Sequence, residues 1–273
     1  MADLIPIFPA PGSPPLLGSL VGGFVLLAAG LAWLTRRRTP EAAVESREGT
    51  RRALLYIAVY TACAACFWRV LSPALLGHDH SPWLLALGDV IFVTLGLFVW
   101  VMVLAESRPW RVYGFHMDGS ARAVLTLILG AVAAFVFASP QYALIASGRV
   151  HLTSDGLVFA ALFAAIGSAL PEELLFRGYL QGSLYGRANR WARLMLPALA
   201  FAAFRAIRFL PGRDLGPADW VMYVLGVALP LGMWWGLVRD LAGGSLWPSL
   251  VSHFVVEFGS ALANASSRDT TPF

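Results

Sequence analysis

Apolar residues in this chain fall in long unbroken blocks, not in the 3.6- or 2-residue periods of a half-buried helix or strand. The blocks cover approximately 16–35, 53–72, 83–105, 121–138, 156–176, 194–209, 220–238 and 246–263. Each approaches the roughly 20 residues that a helix needs to cross a hydrocarbon layer about 30 Å thick. The pattern therefore predicts an all-α fold, a polytopic transmembrane helical bundle with about eight spans. An outer-membrane barrel is excluded, because the blocks lack the apolar-out, polar-in alternation of strands about 10 residues long. Composition agrees: of 273 residues, 58% are hydrophobic and 13% charged, and the mean hydropathy is +0.68. A soluble monomer is excluded by the same figures, since soluble domains are about 25% charged. The opening MADLIPIFPAPGSPPLL has no basic n-region and no clear small-residue cleavage site, so it is not expected to be a removable signal peptide.

Charge adds orientation. All 20 basic residues are arginine, the formal net charge is +4, and the arginines sit between the apolar blocks. With eight spans, one set of loops holds Arg36, Arg37, Arg38, Arg47, Arg51, Arg52, Arg108, Arg111, Arg122, Arg187, Arg190, Arg193 and Arg239. The other set holds Arg149, Arg213 and Arg268. The positive-inside rule puts the first set in the cytoplasm and both termini outside. The basic balance is thus a topology signal, and no nucleic-acid partner is expected. Trp83, Trp110, Trp191, Trp220 and Trp247 fall at the proposed span ends, where the indole ring prefers the headgroup level. Cys63 and Cys66 lie on adjacent turns of one block, a poor geometry for a disulfide and a weak redox signal. His78, Asp79 and His80 form a short His-x-His loop with too few convergent ligands for a metal site.

Ionisable side chains inside a span cost about 2.5–3.5 kcal/mol each on insertion scales, so each needs a partner, a wet cavity or a function. They cluster late in this chain. The fifth block ends in Leu170-Pro171-Glu172-Glu173-Leu174-Leu175-Phe176-Arg177-Gly178; the sixth carries Arg205 and Arg208; the eighth carries His253 and Glu257. At 1.5 Å of rise per residue, Glu172 lies roughly 22 Å from the outer end of its span, and Arg205 and His253 lie at compatible depths. The groups can share one layer near the cytoplasmic side. Glu173 and Arg177 are spaced i,i+4 and are expected to form a structural ion pair, leaving Glu172, about 100° round the helix, free to point elsewhere. His253 and Glu257 share the same spacing and one helix face. Arg208, and Arg69 at the end of the second block, are expected to snorkel to the headgroups.

Glu172-Glu173-x-x-x-Arg177-Gly178 resembles the EExxxR signature of the CPBP family, the CAAX-prenyl-endopeptidase and bacteriocin-processing intramembrane proteases also called Abi. Gly244-Ser245-Leu246-Trp247-Pro248-Ser249-Leu250-x-x-His253-x-x-x-Glu257 is similar to that family's HxxxN or HxxxD motif with its run-in. Phe201-x-x-x-Arg205 stands where the family has FxxxH, and Arg111-Val112-Tyr113-Gly114-Phe115 resembles the segment that introduces the shared region. The resemblance covers roughly 108–263. It divides the chain into a three-helix N-terminal membrane region (1–105), a five-helix core (106–263) and a tail (264–273).

The resemblance implies a multi-pass protein of the bacterial inner (cytoplasmic) membrane and a glutamate-dependent, metal-independent intramembrane endopeptidase without a cofactor. Its substrates would be membrane-embedded or lipid-anchored proteins, including C-terminal sorting signals of the myxosortase kind. Carried over by position, Glu172 is the general base, His253 the oxyanion donor or water ligand, and Glu257 replaces Asn or Asp. Glu173 and Arg205 complete the set of catalytic candidates. Arg205 in place of His is the largest departure, because arginine does not relay a proton at neutral pH but can clamp a carboxylate or an oxyanion. That departure sustains a reading from another class, a non-catalytic membrane binding or immunity protein of the same fold. A zinc peptidase lacks HExxH, and a transporter lacks a convincing internal repeat.

Overall fold

The computed structural model describes residues 47–66, 99, 109–117, 119–148, 153–208 and 216–268. The first predicted span, most of the third, the His78–His80 loop, Trp83 and Arg69 lie outside the described residues, as do the side chains of Cys66 and Arg208. Among the described residues the chain is all-helical, with seven helices. These are α1 (Arg47–Cys66), α2 (Ala121–Phe137), α3 (Ser139–Ala146), α4 (154–181), α5 (Arg190–Arg208), α6 (Pro217–Leu241) and α7 (Trp247–Arg268). A single 3-10 turn, Trp110–Tyr113, precedes α2.

Two helical stretches are long and apolar enough to cross a membrane, Gly156–Gln181 and Pro217–Leu241. A third crossing follows if α2 and α3 are taken together across their 66° bend. The bend falls at Ala138 and corrects the expectation of a straight helix ending there. Pro140 has no N–H to offer the Val136 carbonyl and its ring crowds that carbonyl, so α2 stops at Phe137, Ala138 turns, and a new helix starts with Pro140 in its first turn. α5 carries Arg190, Arg193, Arg205 and Arg208, and α7 interrupts its apolar run with Ser249, Ser252, His253 and Glu257. Both were expected as spans, and both are less apolar than the two stretches above.

The side-chain pattern is that of a bundle packed for lipid. α2 turns its small residues Ala123, Thr126, Gly130, Ala133 and Ala134 inwards and presents Val124, Leu125, Ile128, Val132, Phe135 and Val136 outwards. Small inner residues let backbones approach, which is the main source of helix association where lipid tails remove the hydrophobic drive. A Cβ on Gly130 would sit 3.3 Å from the Pro248 carbonyl of α7, and one on Gly232 of α6 would sit 3.0 Å from the Cα of Ala198 of α5.

The second half of α4 is buried on every side, ringed by α1, α5, α6 and α7. Its turns are wider than α-helical over Phe163–Ala169 and Glu173–Gln181, and those of α6 are wider over Val224–Ala228. Pro171 and Pro230 each follow a wide stretch by two residues. A proline ring displaces the carbonyl one turn earlier, and a widened turn accommodates that displacement without ending the helix.

The start of α7 is tied to the 3-10 turn. Leu246 donates its N–H to the Gly114 carbonyl at 2.8 Å, and the Ser245 hydroxyl donates to the His116 carbonyl at 2.6 Å. Gly114 has φ of 97°, and a Cβ there would lie 2.6 Å from the Gly244 carbonyl, so only glycine permits the junction.

Candidate functional site

Three helices bring six ionisable side chains into one buried cluster. α4 supplies Glu172, Glu173 and Arg177, α5 supplies Arg205, and α7 supplies His253 and Glu257. None is more than 8% exposed. α5 reaches the cluster because Leu194, Ala198, Phe201 and Arg205 recur every three or four residues along its inner face, while Leu196 and Leu199 face outwards. α7 does the same with Ser249, Ser252, His253, Val256 and Glu257.

Arg205 is the hub. Its Nη2 lies 2.7 Å from Glu172 Oε2 and 2.7 Å from Glu257 Oε1, and its Nε donates to the same Glu172 oxygen at 3.1 Å. The same Nη2 is 3.2 Å from Ser168 Oγ and 3.2 Å from His253 Nε2. Two hydrogens on that nitrogen face four acceptors, so the two short carboxylate contacts take them. Ser168 donates to the other oxygen of Glu172 at 2.9 Å. Glu172 does point away from the Glu173–Arg177 pair, as its offset round the helix allows, but it is fully engaged and not free. An i,i+4 rule sees only its own helix, and Glu172 is captured from α5.

Behind this layer lies a second. Glu173 Oε1 is 3.2 Å from Arg177 Nη1 and 3.0 Å from His253 Nδ1, and both Glu173 and Arg177 are fully buried. Arg177 also donates from Nη2 to the Gly232 carbonyl at 3.0 Å, and its guanidinium lies 4.6 Å from the ring centre of Phe201. An ionised carboxylate only accepts, so the Glu173 contact puts a proton on Nδ1 of His253. His253 Nε2 is then the atom that faces the front layer, 3.7 Å from both Glu172 Oε2 and Glu257 Oε1. Trp235 of α6 stacks on the imidazole with ring centres 3.7 Å apart and planes 14° from parallel, and Trp234 and Trp235 both donate to Ser252 at 3.2 Å.

The formal charges are three carboxylates against two guanidiniums. One further proton, on the imidazole, brings the buried set to neutrality. The arrangement can hold a polar reactant between a carboxylate, a guanidinium and an imidazole while Glu173, Arg177 and Trp235 fix the imidazole from behind and from one face.

Residues 154–259 match the family model described as Rce1-like, type II CAAX prenyl endopeptidase. The chain carries an Rce1-like domain. That domain runs from the start of α4 into α7 and contains all six ionisable residues. An Rce1-like domain implies a protease with protein substrates, and with the candidate spans it implies a membrane location. No curated protein and no solved structure matches the chain.

The cluster of the Rce1-like domain brings together every residue singled out in the sequence: Glu172, Glu173, Arg177, Arg205, His253 and Glu257. Sequence reasoning missed Ser168 and Trp235. Ser168 precedes Glu172 by four residues and so shares its face, a signal that was available. Trp235 gave none, since tryptophans in a membrane chain read first as interfacial anchors. Trp191 and Trp247 do lie exposed at helix starts.

Proposed function

We propose that this protein is a metal-independent intramembrane endopeptidase in which Glu172 activates a water to open a peptide bond of a membrane-anchored protein. The observation that carries the proposal is the convergence of Glu172 from α4 and His253 Nε2 from α7, 3.7 Å apart and both buried, within an Rce1-like domain. A carboxylate that close to an imidazole can take a proton from water as its oxygen attacks the scissile carbonyl. With a proton on each ring nitrogen, His253 donates from Nε2 to the developing oxyanion while Glu173 holds Nδ1. Arg205 keeps Glu172 through Nε and swings Nη2 from Glu257 to the same oxyanion, which supplies the donor that Glu257 lacks. The proton on Glu172 then passes to the leaving amine. Glu257 parks the guanidinium between turnovers.

On this reading the first three helices complete an eight-span bundle in a bacterial inner membrane with both termini outside. Substrates enter from the cytoplasmic leaflet as lipid-anchored or hydrophobic chain ends, among them C-terminal sorting helices. The test is purified full-length protein in bilayer discs with tailed peptide substrates, read by mass spectrometry of the products. Glu172→Gln is expected to abolish cleavage, and stringent chelation to leave it unchanged. Cleavage by Glu172→Gln at the wild-type rate overturns the base assignment.

A second reading draws support from one contact. Arg205 Nη2 occupies the point where Glu172, Glu257 and His253 converge, so a chain that never releases it would bind tailed peptides without cutting them. Saturable peptide binding with no product from the wild type favours that reading.

A further inference from the structure

A second buried charge cluster lies outside the peptidase candidates, where α4 and α6 end. Tyr185 follows α4 by one turn, Arg190 and Arg193 open α5, and Arg239 and Asp240 close α6. Asp240 Oδ1 accepts from the Tyr185 hydroxyl at 2.9 Å and from Arg193 Nη2 at 3.4 Å, and its Oδ2 lies 3.2 Å from Arg190 Nε. The guanidiniums of Arg193 and Arg239 both rest against the Tyr185 ring, 4.5 and 5.4 Å from its centre. Two guanidiniums, which do not deprotonate, thus contact one carboxylate, while the third, Arg239, meets Asp240 and Glu173 only through their fields.

Arg239 is the least compensated. It is 1% exposed, donates from Nε to the Gly244 carbonyl at 3.1 Å, and among the described residues has no hydrogen-bond partner for Nη1. Arg193 Nε is likewise buried without a partner. The C-terminal dipole of α6 offsets about half a charge. That leaves a positive excess in a site that is closed around Arg239 and open at Arg190, which is 41% exposed.

Depth identifies the ligand. The cluster sits at and just beyond the ends of both candidate spans, Gly156–Gln181 and Pro217–Leu241. Trp191, between Arg190 and Arg193, is 71% exposed, as an indole at the headgroup level is. We propose that Arg190, Arg193 and Arg239 form a binding site for the phosphate of an anionic lipid headgroup, which enters past Arg190. Basic pockets between helix ends hold such phosphates through charge-assisted, bidentate contacts. The excess of charge favours a headgroup with two phosphates over one with a single phosphate, and either over a zwitterion. This site does not depend on the peptidase reading, and Glu172→Gln is expected to bind lipid as the wild type does.

The experiment is native mass spectrometry and thermal unfolding of the full chain in detergent, titrated with cardiolipin, phosphatidylglycerol, phosphatidylcholine or inorganic phosphate. One retained cardiolipin, a raised Tm, and weaker retention of phosphatidylglycerol then phosphatidylcholine are expected. Arg190→Gln/Arg193→Gln, which spares buried Arg239, should weaken retention at least tenfold. Arg187→Gln, an exposed change of the same sign that loses a bond to Thr50 instead, should leave it unchanged. Equal retention of phosphatidylcholine and the anionic lipids, or equal loss in Arg187→Gln, overturns the site. Stabilisation by inorganic phosphate equal to that by cardiolipin overturns the lipid assignment.

Discussion

Arg177→Met isolates the energetics of the buried layer behind His253. The substitution keeps most of the aliphatic volume but removes the guanidinium that faces Glu173 at 3.2 Å, the Gly232 carbonyl at 3.0 Å and the Phe201 ring. Both members of the ion pair are fully buried, so Glu173 would lose its guanidinium and keep only the hydrogen bonds of His253 Nδ1 and Ser249. Breaking a buried pair from one side costs about 3–5 kcal/mol, or roughly two to three and a half powers of ten in the folding equilibrium. The double variant Glu173→Gln/Arg177→Met removes both charges while the amide oxygen still accepts from His253, and neutral replacements of whole buried pairs are often well tolerated. It should recover about 1–3 kcal/mol of that loss. The assay is reversible unfolding of the wild type, Glu173→Gln, Arg177→Met and the double variant in mixed micelles, followed by circular dichroism across a denaturing-detergent titration. A loss below about 1 kcal/mol in Arg177→Met, or a double variant less stable than the single one, refutes the reasoning.

Four further outcomes follow from the geometry. Arg205→His removes two 2.7 Å contacts to carboxylates, so it should lower turnover as well as stability; a gain in turnover measured on a tailed peptide would show that the guanidinium is a handicap. Trp235→Leu should reduce kcat more than KM, because it frees one face of the imidazole, and an unchanged kcat contradicts a positioning role. Gly114→Ala meets both a positive φ and the Gly244 carbonyl, and should cost about 2–4 kcal/mol by thermal unfolding, whereas Gly119→Ala, with open space around it, should cost about 1 kcal/mol from backbone strain alone. Burial pushes the Tyr185 phenol above its ordinary range, so the folded state holds that proton more tightly than the unfolded chain. Its contribution to stability is complete below about pH 10 and is lost as pH rises further, and Tyr185→Phe should flatten that alkaline slope.

The sequence made the along-chain relations legible. Glu173 and Arg177 do pair, as i,i+4 spacing on one helix requires, and His253 and Glu257 do share a face of α7. Among the described residues, block lengths located six of the seven helices with ends up to six residues out, because apolar length is a local property, and α3 fell in no block. Relations between helices were not legible. Whether Glu172 meets Arg205 depends on the rotation of α4 about its own axis, which the wide turns around Pro171 alter and no periodicity rule encodes. The bend at Ala138 was hidden because Ser139-Pro140 stands at the end of an apolar block, where a stop and a turn look alike. Trp235 was hidden for the reason given above, that its neighbours in composition sit at the interface while it lines the core.

The wide turns of α4 also set how the acidic pair is aimed. Each such turn stores surplus chain that an ordinary helix has no place for, so the segment from Phe163 to Gln181 holds slack on both sides of Glu172. Deleting one residue within Phe163–Ala169 would draw that slack in and keep the azimuth beyond it, whereas the same deletion in an ordinary helical stretch upstream, such as Ser154–Leu162, would swing it by about 100° unless the wide turn gave way. The glutamates would then turn away from α5 and α7, with every motif residue still present in the chain.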